Sequence, residues 1–264
     1  MSPGLLGRET AEMADDLLVI GSGPRKVLAL HGWFGSATGW GPFADLVDEN
    51  RYSYLFLDYR GYGARRGEAG ENTLAEISAD AREAVDALGW SSFAVLGHSM
   101  GGSAMQRVLV DAGDRVCGLI GVSPVPSTGV PFDEQSEQLF TGAAGNRDNR
   151  YAILDLTTGG RLSRTWLDRM VQFSLDQSDT EAVGAYLEAW ARTDFSAEVQ
   201  GNPVPVRVVV GEHDPALGAG LMEQTFLRQY PNASLEVLPN AGHYAMFETP
   251  VALLTTVEGF LDQL

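Results

Sequence analysis

Phe93-Ala94-Val95-Leu96-Gly97-His98-Ser99-Met100-Gly101-Gly102-Ser103-Ala104-Met105 contains three signals in a row. Phe93 to Leu96 is a short, continuous apolar run and reads as a buried strand. It stops at Gly97. A helical pattern begins at Met100 and continues through Met105, Val108 and Leu109. Between the two lies Gly97-x-Ser99-x-Gly101, a sharp strand-to-helix turn. Such a turn pushes its serine out at the tip and strains the serine backbone, so residues without side chains must flank it. The amides that open the helix point at whatever lies over the serine. With 31 Gly in the chain, chance alone supplies the bare pattern in roughly one chain in four. Its weight comes from the strand before it, the helix after it and the partners further along.

Toward the N-terminus, Leu17–Ile20 reads as a short strand ended by Gly21-Ser22-Gly23-Pro24. Lys26–Leu30 is too continuously apolar for a half-exposed strand and belongs at the centre of a sheet. It runs into His31-Gly32-Trp33-Phe34-Gly35. Residues Gly41 to Val47 read as a helix, and Tyr52–Leu57 as a strand closed by Asp58-Tyr59-Arg60-Gly61-Tyr62-Gly63. Thr73 to Leu88 is a helix. Thr73 caps it, Glu76 completes a capping box, and Leu74, Ile77, Ala81, Val85 and Leu88 share one face. Residues 1–16 read as a loose lead-in that could add an edge strand.

Toward the C-terminus, Val116–Val122 is another buried strand. This alternation of strands and helices predicts a parallel sheet with helices on both faces. The rhythm breaks after Pro124. From Ser127 to Pro203 no strand is evident. Helical patterns lie near Glu134–Thr141, Arg147–Leu156, Arg164–Leu175 and Thr180–Ala191, and aromatic residues are dense. The expectation is a core domain formed by residues 1–126 and 204–264, with a helical cap at 127–203. Strand Val206–Val210, helix Gly220–Gln229, strand Ser234–Leu238 and a closing helix Thr249–Leu264 complete the chain, with Pro250 in the first turn of that helix.

The 264 residues, 44% of them hydrophobic, suit one large α/β domain with an insertion. The net charge of −17, from 35 acidic and 18 basic residues, speaks against nucleic acid as a partner, because phosphate contacts need clustered Lys and Arg. The single cysteine, Cys117, sits in an apolar run and reads as a buried thiol. A disulfide within the chain is ruled out, which fits a reducing compartment. Met1 to Asp16 has acidic residues and no long apolar run, so it does not read as a signal peptide. No stretch approaches a membrane span in length. These features predict a cytoplasmic protein with a small-molecule substrate and no membrane partner; a homo-oligomer stays open.

A serine hydroxyl needs a base within hydrogen-bond reach, and the base needs an orienting acid. The chain has four histidines. His243, in Asn240-Ala241-Gly242-His243-Tyr244, follows the last strand and falls at the carboxyl edge of the sheet, where Ser99 also falls. His98 adjoins Ser99 and points away from it in a tight turn, so it reads as packing support. His213 reads as a loop residue, and His31 as a brace for the loop after its strand. For the acid, Gly211-Glu212-His213-Asp214 follows strand Val206–Val210, and Ser99, Asp214, His243 is the triad order of one fold family. Glu212 stays as a rival. A developing oxyanion needs two amide donors. Met100 supplies one at the helix start and Trp33 the other, with Gly32 allowing the close approach.

Five motifs now stand in order, and the chain resembles the α/β-hydrolase superfamily over nearly its whole length. His31-Gly32-Trp33 resembles that family's oxyanion loop, and Asp58-Tyr59-Arg60-Gly61-Tyr62-Gly63 its D-x-R-G-x-G turn. Gly97-His98-Ser99-Met100-Gly101-Gly102 resembles its nucleophile elbow. Gly211-Glu212-His213-Asp214 and Gly242-His243 resemble its acid and base loops. The resemblance implies a mostly parallel eight-stranded sheet with an antiparallel first hairpin, a helical cap over the site, and neither cofactor nor metal. It implies that the Asp58–Gly63 turn is structural. A serine at the elbow disfavours dehalogenase and epoxide hydrolase chemistry, which needs an aspartate there. The oxyanion loop resembles those of small-ester hydrolases, lactonases, C–C bond hydrolases and cofactor-free haloperoxidase-type esterases. The expected activity is hydrolysis of an apolar or aromatic ester or lactone through Ser99. C–C cleavage, cofactor-free oxygenation and a non-catalytic ligand receptor are the alternatives. Trp33, Phe34, Val125, Trp166, Met170, Tyr186, Trp190 and Tyr244 are the expected substrate contacts.

Overall fold

A computed structural model describes residues 17–264. The expected lead-in and edge strand at residues 1–16 lie outside the described residues. The strands are β1 (Leu18–Ile20), β2 (Arg25–Leu30), β3 (Tyr52–Leu57), β4 (Phe93–His98), β5 (Val116–Val122), β6 (Val206–Gly211) and β7 (Ala233–Leu238). They form one sheet in the order β1-β3-β2-β4-β5-β6-β7. Every pairing is parallel except that of β1 with β3. Among the described residues the sheet therefore has seven strands rather than the eight expected. Among the described residues the antiparallel strand is β1, which pairs with β3 and not with β2, the next strand in the chain. The turn after β1 carries the chain past its neighbour, so Leu18 pairs with Phe56 and β2 lies one place further in.

Sequence pattern and position agree strand by strand. β3 and β4 are buried along their whole length, as strands covered by helices on both faces must be. The helices of the first half are α1 (Pro42–Leu46), α2 (Leu74–Ala87) and α3 (Met100–Ala112), and α2 packs on α3. Thr73 caps α2 by accepting the Glu76 N–H at 3.1 Å. The Glu76 carboxylate reaches past the expected capping box to the N–H groups of Asn72 and Glu71, at 2.9 and 3.0 Å. Asn72 itself adopts a positive φ of 53°, and this bend brings those amides within reach.

Between β5 and β6 the chain forms no strand. It forms α4 (Glu134–Gly142), α5 (Arg147–Thr157), α6 (Arg164–Asp176), α7 (Thr180–Arg192) and the short α8 (Ser196–Val199). The first four match the four helical patterns read from the sequence. Side chains of Asp133, Asn146 and Ser163 cap α4, α5 and α6. After β6 the expected single helix is two, α9 (Ala219–Gln224) and α10 (Phe226–Gln229), because Thr225 at φ −117° and ψ −85° breaks the helical path. The chain closes with α11 (Ala245–Glu248) and α12 (Pro250–Leu261). No helix among the described residues is long and apolar enough to cross a membrane.

Candidate active site

Ser99 stands between the end of β4 and the start of α3, with φ 53° and ψ −117°. A positive φ strains a residue that carries a Cβ, and here the surroundings enforce it. The Ser99 N–H donates to Val122 O at 3.1 Å, and its carbonyl accepts from Gly102 N–H at 2.7 Å and Val125 N–H at 2.9 Å. The flanking glycines are demanded by space. A Cβ on Gly97 would lie 2.2 Å from Gly101 O, and one on Gly101 would lie 2.1 Å from Leu30 O.

The loop after β2 lies directly on this turn. A Cβ on Gly32 would meet His98 Nδ1 at 2.7 Å and Ser99 Cβ at 3.1 Å. Trp33 follows, half of a pair of amides predicted to hold an oxyanion; Met100 is the other. Neither N–H donates to a protein acceptor among the described residues. The loop is held from behind. Tyr59 Oη donates to His31 O and Tyr62 Oη to Trp33 O, each at 2.9 Å, and Trp33 Nε1 donates to Val183 O of α7 at 2.8 Å. The Asp58 carboxylate accepts the Ala37 N–H at 2.6 Å and the Ala64 N–H at 3.0 Å, tying the loop to the turn after β3. Sequence reasoning missed Tyr59 and Tyr62. Their spacing within the Asp58–Gly63 motif was the available signal.

Asp214 and His243, 29 residues apart in sequence, meet at the carboxyl ends of β6 and β7. His243 Nδ1 donates to Asp214 Oδ2 at 2.7 Å, and both side chains are buried. The other carboxylate oxygen of Asp214 accepts the N–H groups of Ala216 and Leu217, at 3.0 and 3.1 Å. Burial alone would push the Asp214 carboxyl up. The neighbouring His243 and these N–H donors overcome that and hold it below its ordinary value. With Asp214 taking the proton on Nδ1, Nε2 is the basic nitrogen of His243. Glu212, the rival acid, is exposed and accepts the Asn240 N–H instead, so it turns away from His243.

His98 behaves as a support. Its Nε2 donates to the His243 carbonyl at 3.0 Å, and its ring lies 4.9 Å from that of His243. Burial, with the nearby His243, pushes its pKa down to about 3, so it is neutral. His31 stacks on Tyr59 at 4.0 Å. Exposed His213 sits beside Glu212.

A cavity of about 260 Å³ opens over Ser99 and His243. Of the expected contacts, Trp33, Phe34, Val125, Trp190 and Tyr244 line it. Trp166, Met170 and Tyr186 do not. Trp166 packs edge-on against Tyr244 and Phe247, outside the wall. Met170 is buried on the inner face of α6. Tyr186 lies against Tyr59 and Tyr62. The residues missed include Phe132, Phe140, Ile153, Leu156 and Thr157. The last three follow an i, i+3, i+4 stripe on α5, a pattern present in the sequence. Phe132 and Phe140 stack at 4.7 Å, and Trp190 stands edge-on to both. The wall is mostly apolar, and no Lys or Arg belongs to it. Among the described residues, no three His, Cys, Asp or Glu side chains gather in a metal-binding arrangement.

The Alpha/beta hydrolase family matches the chain over residues 27–256. The dihydrolipoyllysine-residue acetyltransferase component of the acetoin cleaving system of Cupriavidus necator is 28% identical over 238 residues. That match covers 86% of this chain and 61% of the relative, so the chain spans under two thirds of its length. A non-heme haloperoxidase of Rhodococcus erythropolis is 26% identical over 240 residues, covering 84% of this chain and 86% of the relative. Among solved structures, an esterase from Exiguobacterium antarcticum superposes with a TM-score of 0.84 at 19% identity, covering 93% of this chain and 94% of the other.

Proposed function

The chain belongs to the alpha/beta hydrolase family, and from that premise we propose that it is a serine hydrolase cleaving a carboxylic ester or lactone of modest size and apolar or aromatic character. The observation that carries the reading is the 2.7 Å bond from His243 Nδ1 to Asp214, at the wall of a cavity that Ser99 also lines. Ser99 Oγ attacks the carbonyl carbon and gives its proton to His243 Nε2. The carbonyl oxygen becomes an oxyanion held by the amides of Trp33 and Met100. The tetrahedral intermediate collapses, and His243 returns the proton to the leaving alkoxide. The acyl group remains on Ser99. Water, deprotonated by His243, then attacks the ester, and the acid departs as Ser99 regains its proton. Asp214 keeps the imidazole in the required tautomer and stabilises the imidazolium.

The wall of the cavity supports the substrate class. Its aromatic side chains and lack of Lys and Arg suit a neutral acyl group better than a dienoate, whose carboxylate would lie there without a cation. The volume, about 260 Å³, lies just below the usual span of ligand pockets, roughly 300–1,000 Å³, and suits a compact ester or lactone. Turnover of a short p-nitrophenyl ester by Ser99→Ala tests the mechanism. A drop of at least about 10³-fold is expected, because the three side chains act as a unit. Turnover at the wild-type rate sinks it.

A further inference from the structure

Arg150, on α5, is 1% exposed. All of its hydrogen-bond partners are neutral. Nε donates to Ala143 O at 2.9 Å and Nη2 to Ala144 O at 2.6 Å, while Nη1 donates to Ser174 Oγ and Ser178 Oγ at 3.1 and 3.2 Å. A buried charge without a counter-ion is costly, and burial pulls this guanidinium below its ordinary pKa. Groups perturbed in this way gather at functional sites. The surroundings of Arg150 lead to one.

Its guanidinium carbon lies 5.2 Å from the centre of the Phe34 ring, and Phe34 lines the cavity next to Trp33. Phe34 in turn stacks on the Trp33 indole at 4.5 Å. A second path leads to the same loop. Ser178, which Arg150 binds, forms a β-bridge with Tyr62, whose hydroxyl holds Trp33 O. Arg150 is thus linked to Trp33 by two routes, through the Phe34 ring to the indole and through the Ser178–Tyr62 bridge to the carbonyl. Charge gives a further reason. In the tetrahedral intermediate, Asp214 and the protonated His243 cancel, and the oxyanion is left with no Lys or Arg in the cavity wall to balance it.

We propose that Arg150 is a positioning residue of the Ser99 site. It orients the Trp33 amide through Phe34 and through the Ser178–Tyr62 bridge, and its buried positive charge favours the anionic intermediate over the neutral substrate. The proposal rests on the acyl-enzyme reading. It places Arg150 behind the wall rather than in contact with the substrate, so its effect belongs in kcat and not in KM.

The experiment compares Arg150→Met, which removes the charge, with Arg150→Lys, which keeps it. Steady-state kinetics on a short p-nitrophenyl ester are read beside the melting temperature of each protein, with Ser99→Ala in parallel. Arg150→Met should lower kcat by about thirtyfold, less than the loss of a direct oxyanion donor, with KM changed by no more than about threefold. Arg150→Lys should stay within about fivefold of wild type in kcat, because the cation remains. A kcat for Arg150→Met within about fivefold of wild type overturns the proposal, and so does a loss in Arg150→Lys as deep as that in Arg150→Met. If Arg150→Met does not fold, Arg150→Lys decides alone: kcat within about fivefold supports the proposal and a larger loss overturns it. Full turnover by Ser99→Ala removes the acyl-enzyme reading itself, and this inference with it; loss in Ser99→Ala with unaffected Arg150 variants removes this inference alone.

Discussion

Acidification should destabilise the protein through His98, a residue that takes no part in the proposed chemistry. The ring is buried between the Gly32 loop and the His243 backbone, and its pKa falls from 6.5 to about 3. The unfolded chain takes up this proton first, so the contribution is fully present above about pH 6.5 and is lost as pH falls toward 3. At pH 5.0 the medium lies about 1.5 units below the unfolded value, at about 1.36 kcal/mol per unit. His98 should then cost about 2 kcal/mol relative to pH 7.5. By pH 3 the loss reaches about 4 kcal/mol, a large part of a typical domain's stability. His98→Gln is the reference, because an amide N–H can still donate to His243 O but cannot titrate. Equilibrium urea unfolding of both proteins at pH 7.5 and 5.0, followed by tryptophan fluorescence, gives the difference. Relief of repulsion from the −17 net charge and the titration of His31 are shared by both and cancel. Wild type should lose about 2 kcal/mol more than His98→Gln across that interval. Equal losses, within about 0.5 kcal/mol, would refute the claim that His98 is held neutral by burial.

Tyr62→Phe removes the hydroxyl that holds Trp33 O. Leaving that buried carbonyl unpaired costs about 1–3 kcal/mol, and the loosened Trp33 amide should lower kcat on a p-nitrophenyl ester about tenfold with KM little changed. Gly101→Ala sets a Cβ 2.1 Å from Leu30 O, in the backbone of a central strand that cannot yield. A loss of more than about 3 kcal/mol is expected, seen as a lowered melting temperature or insoluble expression.

The strand–turn–helix at Phe93–Met105 was legible because everything that fixes it is local. An apolar run, two glycines and a helical stripe leave one arrangement, and the neighbours at 2.1–2.2 Å explain why no larger residue fits. The meeting of Asp214 with His243 was legible for a topological reason: parallel strands deliver their following loops to one edge of the sheet. The choice between Asp214 and Glu212 was legible only as a preference, because the motif order favoured Asp214 and left Glu212 as a rival. It depends on which carboxylate the β6 loop turns inward, and only the backbone amides of Ala216 and Leu217 reveal that. The cavity wall was read in part. Trp166 and Met170 stand in the aromatic stripe of α6, and a strongly apolar stripe is what a helix buries against protein. The wall draws instead on α5, whose mixed stripe includes Thr157 and a Leu156 that is 49% exposed.

The Asp58–Gly63 turn shows how a structural motif bears on chemistry. The resemblance implied only a loop-shaping role. In the fold, the turn joins the loop carrying Trp33 to the helices between β5 and β6. Its tyrosines hold the carbonyls of His31 and Trp33. Its backbone binds the α6–α7 connection, with the Gly63 N–H donating to Gln177 O at 2.9 Å and Gly61 O accepting the Asp179 N–H at 2.8 Å. Trp33 Nε1 reaches α7 directly. The same helices supply Phe140, Ile153, Leu156, Thr157 and Trp190 to the cavity. A substrate that shifts those helices therefore also shifts the loop around Trp33, whose amide is proposed to receive the oxyanion. Under the proposed mechanism, recognition in the wall and stabilisation at Trp33 share one set of hydrogen bonds, so a substitution in the wall need not act on binding alone. Kinetic data on wall variants should accordingly be read as kcat and KM separately, because a change confined to KM is expected only where a side chain touches the substrate without bearing on this joint.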